Sequence, residues 1–214
     1  MQPKDAEIDQ PPSEIQALAE RLNRGEVIAF PTETFYGLMA RVDRPAALRK
    51  VFAIKGRLPE RALPVIASNK AVARSLWSAC PPEALALMDA FWPGPLTIVL
   101  PARLSVDMLI TGGSDTVGVR VPGLAEAREL AALAGGALVA TSANPADEPP
   151  ARSCDEVDAY FGGEVECWDA GQMPPSKGST VLQMVDWPPL ILREGEISRE
   201  QLAAVLGVDP ALRS

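Results

Sequence analysis

Histidine is absent from the 214 residues of this chain. It is the one side chain whose unperturbed pKa lies between about pH 5 and 8, and it is the commonest metal ligand. Its absence excludes Ser-His-Asp and Cys-His nucleophile arrangements and every zinc or iron site that contains histidine. An enzyme with this sequence therefore has to work by positioning its substrates, by fixed charge, or through carboxylates and lysines.

Cysteine is scarce as well, with only Cys80, Cys154 and Cys167. The three cysteines form no Cys-x-x-Cys pair, their number is odd, and no histidine is present to complete a metal site. We therefore expect three free, buried thiols in a reducing compartment and no protein-bound metal.

Long apolar segments are also missing. The longest uncharged run, residues 130–146, is interrupted by Gly135-Gly136 and does not resemble a membrane span. The first 13 residues are polar and acidic, which is not typical of a signal peptide. We expect a cytoplasmic protein that makes no contact with membranes.

Basic residues are outnumbered: 20 Lys and Arg against 28 Asp and Glu give a net charge of −8, so the chain as a whole is not a polyanion binder. The charge is unevenly distributed, because only Asp43 and Glu60 are acidic between residues 41 and 74. The basic residues of that interval are Arg41, Arg44, Arg49, Lys50, Lys55, Arg57, Arg61, Lys70 and Arg74. This basic island favours a local anion site, and the alternative is a solvated helix face.

The patterning predicts alternating helices and strands in one domain. Helices are predicted after Ser13, over 45–55, 70–77, 82–91 and 125–134, from Ser153 to Gly162, and from Ser198 to Gly207. Strands are predicted over 26–30, 63–68, 96–100, 116–121, 137–141, 165–169, 179–185 and 189–193. Many strands are adjacent in hairpin-like pairs, so we expect an α/β (α+β) fold with a mixed sheet and helices packed on it. We divide the chain into a flexible segment 1–12, a domain 13–207 and a tail 208–214.

Polar clusters follow directly after four of these strands, at residues 31–38, 120–122, 141–144 and 193–195. Binding sites in α/β sheets form where strand ends meet loops, so the four clusters together favour a shared cleft. Taken singly, each cluster is more often a turn than a site. The loop 92–97 (WPGPLT) has a rigid Pro-Gly-Pro sequence, which we expect to hold the cleft walls.

A pair of cations, Lys55 and Arg57, lies at the end of a predicted helix with Gly56 between them. If Gly56 bends the chain, both cations can reach one anion, and a triphosphate suits a bidentate arginine and a point-charge lysine. Walker A and G-x-G-x-x-G sequences are absent, which argues against a P-loop or a Rossmann nucleotide site.

Seven segments in this order and approximate spacing resemble the YrdC/TsaC family of threonylcarbamoyl-AMP synthases. They are residues 31–38 (PTETFYGL), 55–57 (KGR), 92–97 (WPGPLT), 119–122 (VRVP), 140–144 (ATSAN), 178–181 (GSTV) and 193–195 (REG). The resemblance extends from about residue 25 to residue 207. The chain is similar to the short, single-domain form of the family.

The resemblance implies a large twisted mixed sheet flanked by helices, with an open concave cleft. It implies a nucleotidyltransferase that converts L-threonine, bicarbonate and ATP into L-threonylcarbamoyladenylate and pyrophosphate, with Mg²⁺ accompanying the ATP. Partner proteins would transfer the threonylcarbamoyl group to the adenosine next to the anticodon of tRNA, and direct contact with tRNA stays open.

The resemblance also implies residue roles, carried over by motif. The threonine site would be lined by Thr34, Arg120, Ala140 and Ser179. The nucleotide and its phosphates would be held by Lys55, Arg57, Arg61, Ser142, Asn144 and Arg193. Lys55 and Arg57 would be the catalytic residues.

Two alternatives stay open. One is a tRNA- or double-stranded-RNA-binding module that uses the basic island for phosphate contacts, against which the net charge of −8 counts. The other is a paralogue with the same fold and no synthase activity.

Glu33 is a candidate general base, or an acid that fixes its loop by hydrogen bonds. We expect Trp77, Trp168 and Trp187 to pack in the core or at the cleft rim.

Overall fold

Within residues 13–56 and 60–213, the part of the chain that the computed structural model describes, ten strands form one sheet with eight helices around it. The strands are β1 Ile28–Pro31, β2 Tyr36–Arg41, β3 Val65–Ala67, β4 Leu96–Pro101, β5 Thr116–Arg120, β6 Ala137–Ser142, β7 Glu166–Cys167, β8 Thr180–Gln183, β9 Leu190–Arg193 and β10 Ala211–Leu212. The helices are α1 Glu14–Asn23, α2 Pro45–Lys55, α3 Lys70–Ser75, α4 Pro82–Phe91, α5 Met108–Thr111, α6 Ala125–Leu133, α7 Cys154–Phe161 and α8 Arg199–Leu206.

The sheet is mixed, as predicted. Its strand order is β10-β9-β8-β4-β5-β3-β6-β2-β1-β7. Four neighbouring pairs are parallel (β10/β9, β8/β4, β5/β3 and β1/β7) and the other five are antiparallel. Neighbouring strands are often far apart in sequence, so the sheet order depends on long-range pairing that the local pattern does not encode.

The two faces of the sheet are covered differently. In β3, Val65 points into the core that contains buried residues of α2, α4 and α7, whereas Ile66 packs on the opposite face with α1 and α6. Successive strand residues point to opposite faces, and paired residues share a face. Val65 pairs with Val119 of β5, and Ile66 pairs with Arg120. The face that α1 and α6 cover on one half of the sheet is therefore the face that carries Arg120 on the other half.

The helix ends follow the local sequence signals. Ser13 caps α1 and Ser198 caps α8, each with a complete capping box, while the Ser153 side chain accepts from the Glu156 backbone N–H at the start of α7. Gly56, in the left-handed conformation with φ of 59°, ends α2 directly after Lys55.

Three elements differ from the sequence prediction. The sequence pattern did not predict β2 or the one-turn helix α5, and β10 lies inside the interval that we assigned to a C-terminal tail. β2 was missed because five of its six residues are buried, so it lacks the alternation of a half-exposed strand. The predicted flexible segment 1–12 lies outside the described residues.

The cysteine prediction is right for Cys80, which is a free thiol, and wrong for Cys154 and Cys167, which form a disulfide. The chain between them folds into α7, a glycine turn at Gly162-Gly163 and β7, and this brings the two Cα atoms to 5.7 Å, within disulfide range. Burial raises the pKa of the Cys80 thiol, which the nearby charge of Arg74 opposes.

The tryptophans divide between core and surface. Trp77 is buried, and Trp168 stacks on Phe30 with ring centroids 4.7 Å apart. Trp187 is 55% exposed and lines a separate groove with Val185, so its predicted place in the core or at the cleft rim is wrong. No helix in the described part of the chain is long and apolar enough to cross a membrane.

Candidate active site

A cleft of about 410 Å³ lies on the same face of the sheet as α1 and α6, over the half that these helices leave uncovered. Residues from all four polar clusters that follow the strands line it, among them Thr34, Arg120, Ser142 and Arg193. The shared cleft expected from the sequence is therefore present, and its size is in the range of small-molecule sites.

The cleft floor consists of alternate residues of three strands. On β4, Thr97 and Val99 line the cleft, while the neighbouring Ile98 belongs to the core on the other face. The same alternation places Gly118 and Arg120 of β5 on the floor. A Cβ atom on Gly118 would lie 3.2 Å from Thr97 and 3.3 Å from Val99, so glycine keeps the floor open at this point.

Arg120 is the most buried charged group of the cleft, with 8% of the residue exposed. Its Nη1 donates to Oε1 of Glu33 at 2.6 Å, and its Nη2 donates to the Thr32 hydroxyl at 3.2 Å. Burial lowers the pKa of Arg120 and the charge of Glu33 opposes that effect. The guanidinium still remains a cation at neutral pH.

Glu33 forms an ion pair with Arg120 and is not among the described residues that line the cleft. Its second carboxylate oxygen, Oε2, is buried and accepts no hydrogen bond from the described residues. Gly123 makes room for this side chain, because a Cβ atom there would lie 3.2 Å from Cγ of Glu33. The arrangement supports our second interpretation, in which Glu33 is an acid that fixes its loop by hydrogen bonding, here through the bond from Arg120.

The turn after β1 is ordered by threonine hydroxyls. Thr32 Oγ1 donates to the carbonyl of Phe35 at 2.9 Å and lies 2.9 Å from Thr34 Oγ1. Because the single hydroxyl hydrogen of Thr32 is used on Phe35, Thr34 donates to Thr32. Its own oxygen accepts a long bond of 3.5 Å from Nη2 of Arg120, and one lone pair remains available as an acceptor. Thr34 is buried and lines the cleft, so it can accept a hydrogen bond from a bound ligand.

Arg193, at the end of β9, supplies the second guanidinium. Its Nε and Nη2 donate to the carbonyl oxygen of Ser179 at 3.2 and 2.8 Å, and Nη2 also donates to Ser179 Oγ at 3.0 Å. Burial lowers the pKa of Arg193, and the charge of Arg120 lowers it further. Arg193 forms no ion pair within residues 13–56 and 60–213, so a bound anion would relieve this electrostatic cost.

Lys55 lies beside the cleft rather than on its wall. Its residue exposure is 4%, and its ammonium donates to the carbonyl oxygens of Ser142 and Asn144 at 2.5 and 2.8 Å. A third bond of 3.2 Å reaches Oδ1 of Asn144. Lys55 therefore ties the end of α2 to the loop that follows β6.

The structure brings most of the residues predicted for the site together. Those that line the cleft are Thr34, Arg120, Ala140, Ser142, Ser179 and Arg193. Lys55 and Asn144 lie behind the cleft wall, and Arg61 is exposed and outside the described lining. Arg57 lies outside the described residues.

Part of the cleft floor was not predicted from the sequence, including Thr116, Val99 and Gln183. The period-two alternation of β4, β5 and β8 was the available signal, since one residue of each pair packs in the core and the next does not. The pattern alone could not tell whether the second face is covered by helices or left open.

The Trp-Pro-Gly-Pro loop joins two walls of the cleft. The backbone N–H of Gly94 donates to the carbonyl of Val121 at 2.9 Å, and the N–H of Thr180 donates to the carbonyl of Pro95 at 2.9 Å. The indole of Trp92 donates to the carbonyl of Leu96 at 2.6 Å. The loop thus has the structural role that we expected, since it connects the end of β5 to the start of β8.

The long connection from β7 to β8 crosses the sheet and forms another wall. The hydroxyl of Tyr36 donates to the carbonyl of Gly171 at 2.9 Å and accepts from the N–H of Ala170 at 3.0 Å. The Arg152 guanidinium donates to the carbonyl of Met173 at 2.7 and 2.9 Å. These bonds hold the segment that leads to Ser179 in the cleft.

Comparison with known families identifies a relationship over most of the chain. The Sua5/YciO/YrdC family model, described as "Telomere recombination", matches residues 20–195. The chain is 38% identical over 194 residues to a threonylcarbamoyl-AMP synthase of Pyrococcus abyssi, which covers 90% of this chain and 57% of that protein. It is 37% identical over 162 residues to a threonylcarbamoyl-AMP synthase of Halorhodospira halophila, covering 76% and 85% of the two chains.

Solved structures give the same relationship. P. abyssi Sua5 complexed with L-threonine superposes with a TM-score of 0.89 at 36% identity, over 93% of this chain and 58% of that one. Escherichia coli YciO superposes with a TM-score of 0.79 at 23% identity, over 91% and 95%, and supports the fold alone. The chain spans little more than half the length of the P. abyssi protein.

Proposed function

The chain belongs to the Sua5/YciO/YrdC family, and on this premise we propose that it forms L-threonylcarbamoyladenylate and pyrophosphate from L-threonine, bicarbonate and ATP. The reaction would make it a nucleotidyltransferase that supplies the threonylcarbamoyl group for tRNA modification. The P. abyssi relative binds L-threonine, and the matching part of this chain contains the cleft described above.

The observation that carries the proposal is the charge of the cleft. Two guanidiniums, of Arg120 and Arg193, line it, and among the described residues no aspartate or glutamate does. Arg120 is buried, which strengthens its attraction for an anionic group, and Arg193, which is more exposed, adds a second positive charge. The proposed substrates bring a carboxylate, a bicarbonate and a triphosphate into this cleft.

We assign the threonine to the part of the cleft lined by Thr34, Arg120, Ala140 and Ser179. Arg120 offers a fixed guanidinium edge for a carboxylate, and the Thr34 hydroxyl accepts from an amine or hydroxyl. Arg193 and Ser142 line the cleft from other directions, and we assign them to the nucleotide together with Arg61 and Asn144. The role of Arg57 rests on the sequence resemblance alone.

The proposed chemistry needs no covalent enzyme intermediate. The amine of threonine and bicarbonate form a carbamate and water, and a carbamate oxygen then attacks the α-phosphorus of ATP, with pyrophosphate as the leaving group. In-line placement and neutralisation of negative charge are what such a displacement requires. Fixed arginines meet these needs, which is consistent with a chain that has no histidine.

A divalent ion, Mg²⁺ in our proposal, would arrive with the ATP. No group of three or more His, Cys, Asp or Glu residues in the described part of the chain is arranged to hold a metal. The triphosphate oxygens would supply most of its ligands, as is usual for Mg²⁺. We further propose that the protein acts in the cytoplasm, where transfer proteins use its product and where contact with tRNA can occur.

The test is threonine-dependent release of pyrophosphate from ATP in the presence of bicarbonate, with the adenylate product identified by mass spectrometry. Arg193→Met should lower this activity strongly. The matched control is Arg49→Met, which removes an exposed charge of α2 away from the cleft and should leave the activity unchanged. Pyrophosphate release that does not exceed the Arg193→Met level would refute the proposal, and RNA binding without turnover would favour the RNA-binding alternative.

A further inference from the structure

Lys55 has a bonding environment that differs from that of a phosphate-binding lysine. Its ammonium carries three N–H donors, and three acceptors of the following loop surround it: the carbonyls of Ser142 and Asn144 and Oδ1 of Asn144. The residue is 4% exposed. Turning the ammonium toward a ligand would remove a charged donor from these acceptors, which is costly, although the Ser142 carbonyl would keep the bond of 3.0 Å from the Asn144 backbone N–H.

The loop of residues 142–148 is built around this lysine. The backbone N–H of Ala146 donates to the carbonyl of Lys55 at 3.0 Å, so the lysine supplies an acceptor as well as donors. The Asn144 amide donates across the loop to the carbonyl of Glu148 at 2.5 Å. Ser142, the last residue of β6, pairs with Gly37 of β2, begins this loop and lines the cleft.

We propose that Lys55 is a positioning residue that organises the 142–148 loop and thereby places Ser142 in the cleft, rather than a residue that binds phosphate directly. The link to nucleotide binding rests on the proposed function, whereas the ordering of the loop does not. The motif resemblance implies that Lys55 contacts the substrate. In our proposal Lys55 instead supports the residues that make this contact.

The first experiment measures amide hydrogen exchange of the loop in the free protein. Lys55→Met removes the ammonium, and exchange within residues 142–148 should become about tenfold faster or more, because several charge-assisted bonds are lost. Lys50→Met is the matched control, since Lys50 is an exposed lysine of the same helix, and the loop should exchange as in the wild type. Unchanged exchange in Lys55→Met would overturn the proposal.

The second experiment separates positioning from direct phosphate contact. Lys55→Arg keeps the charge, but a planar guanidinium cannot reproduce the three bonds of the ammonium in this enclosed space. If Lys55 positions the loop, Lys55→Arg should lose as much kcat/KM for ATP as Lys55→Met. If Lys55 binds phosphate directly, the arginine should retain most of the activity, and that result would overturn the proposal.

A double-mutant cycle with Asn144→Ala completes the test. Because both residues hold one loop, amide exchange within residues 142–148 in Lys55→Met with Asn144→Ala should be no faster than in the more damaging single variant. Effects on loop exchange that multiply would contradict the proposal. If Lys55→Met does not fold, faster exchange of the loop in Asn144→Ala supports the proposal and unchanged exchange opposes it.

A wild type without pyrophosphate release would refute the proposed function, while the exchange experiment would still decide the role of Lys55.

Discussion

Replacing both Cys154 and Cys167 by serine should lower the free energy of unfolding by about 3 kcal/mol. The two cysteines are 13 residues apart in the sequence, and their disulfide joins the start of α7 to β7. A cross-link that closes a loop of roughly this length restricts the unfolded chain by about 3 kcal/mol at 25 °C in the loop-entropy description. Both positions are half-buried, so serine fits without a large desolvation cost.

Urea unfolding of four samples measures this effect: the oxidised wild type, the wild type with a phosphine reductant, the double variant, and Cys80→Ser. Reduction and double substitution should cause similar losses. Cys80→Ser should keep the oxidised stability to within about 1 kcal/mol, because it leaves the cross-link intact. The connection from β7 to β8 should stay attached through Tyr36 and Arg152, so threonine-dependent activity should survive.

Thiol titration of the unfolded, unreduced protein provides the direct check. One thiol per chain, that of Cys80, is expected. Three thiols per chain would show that Cys154 and Cys167 are free. A reductant that leaves the unfolding midpoint unchanged would refute the stabilising effect of the disulfide.

Three further predictions concern the cleft and its walls. Arg193→Met should lower kcat/KM for ATP about 10- to 100-fold, as expected for a lost charge-assisted contact, and an unchanged kcat/KM would contradict this. Burial raises the pKa of Tyr36, so the protonated phenol contributes its full stability below about pH 10, and this contribution is lost as the pH rises further. Tyr36→Phe should therefore flatten the alkaline decline of the unfolding free energy between about pH 8 and 11. An unchanged slope would contradict this prediction. Gly195→Ala should destabilise the fold more than Gly25→Ala. At Gly195 the new Cβ would lie 2.5 Å from the backbone of Ser179, whereas at Gly25 only the left-handed conformation is disfavoured. Equal unfolding midpoints of the two variants would refute this prediction.

Helix positions could be predicted because their signals are local. The capping boxes at Ser13 and Ser198 and the glycine after Lys55 lie within a few residues of the ends they define, and the structure has α1, α2 and α8 there. The strands were predicted less well. β2 is buried on both faces, so its sequence shows no alternation for a prediction to use.

The membership of the cleft could also be anticipated, although the geometry within it could not. Six of the residues carried over by motif line one cleft, because the motifs follow strands that meet on one face of the sheet. The pairing of Arg120 with Glu33 spans 87 residues of sequence, and so does the bond from Lys55 to Ser142. No local pattern encodes contacts over such distances.

The sequence by itself determined seven of the eight helices in the described residues, the mixed character of the sheet and the family, and the absence of histidine excluded every mechanism that needs that side chain. Only the tertiary structure decided which face of the sheet stays open, that Arg193 enters the cleft without a carboxylate partner among the described residues, that Lys55 turns toward a loop, and that Cys154 meets Cys167. The physical reason is the same in each case. Capping and periodicity act over a few residues, whereas burial and pairing depend on the order of the strands in the sheet.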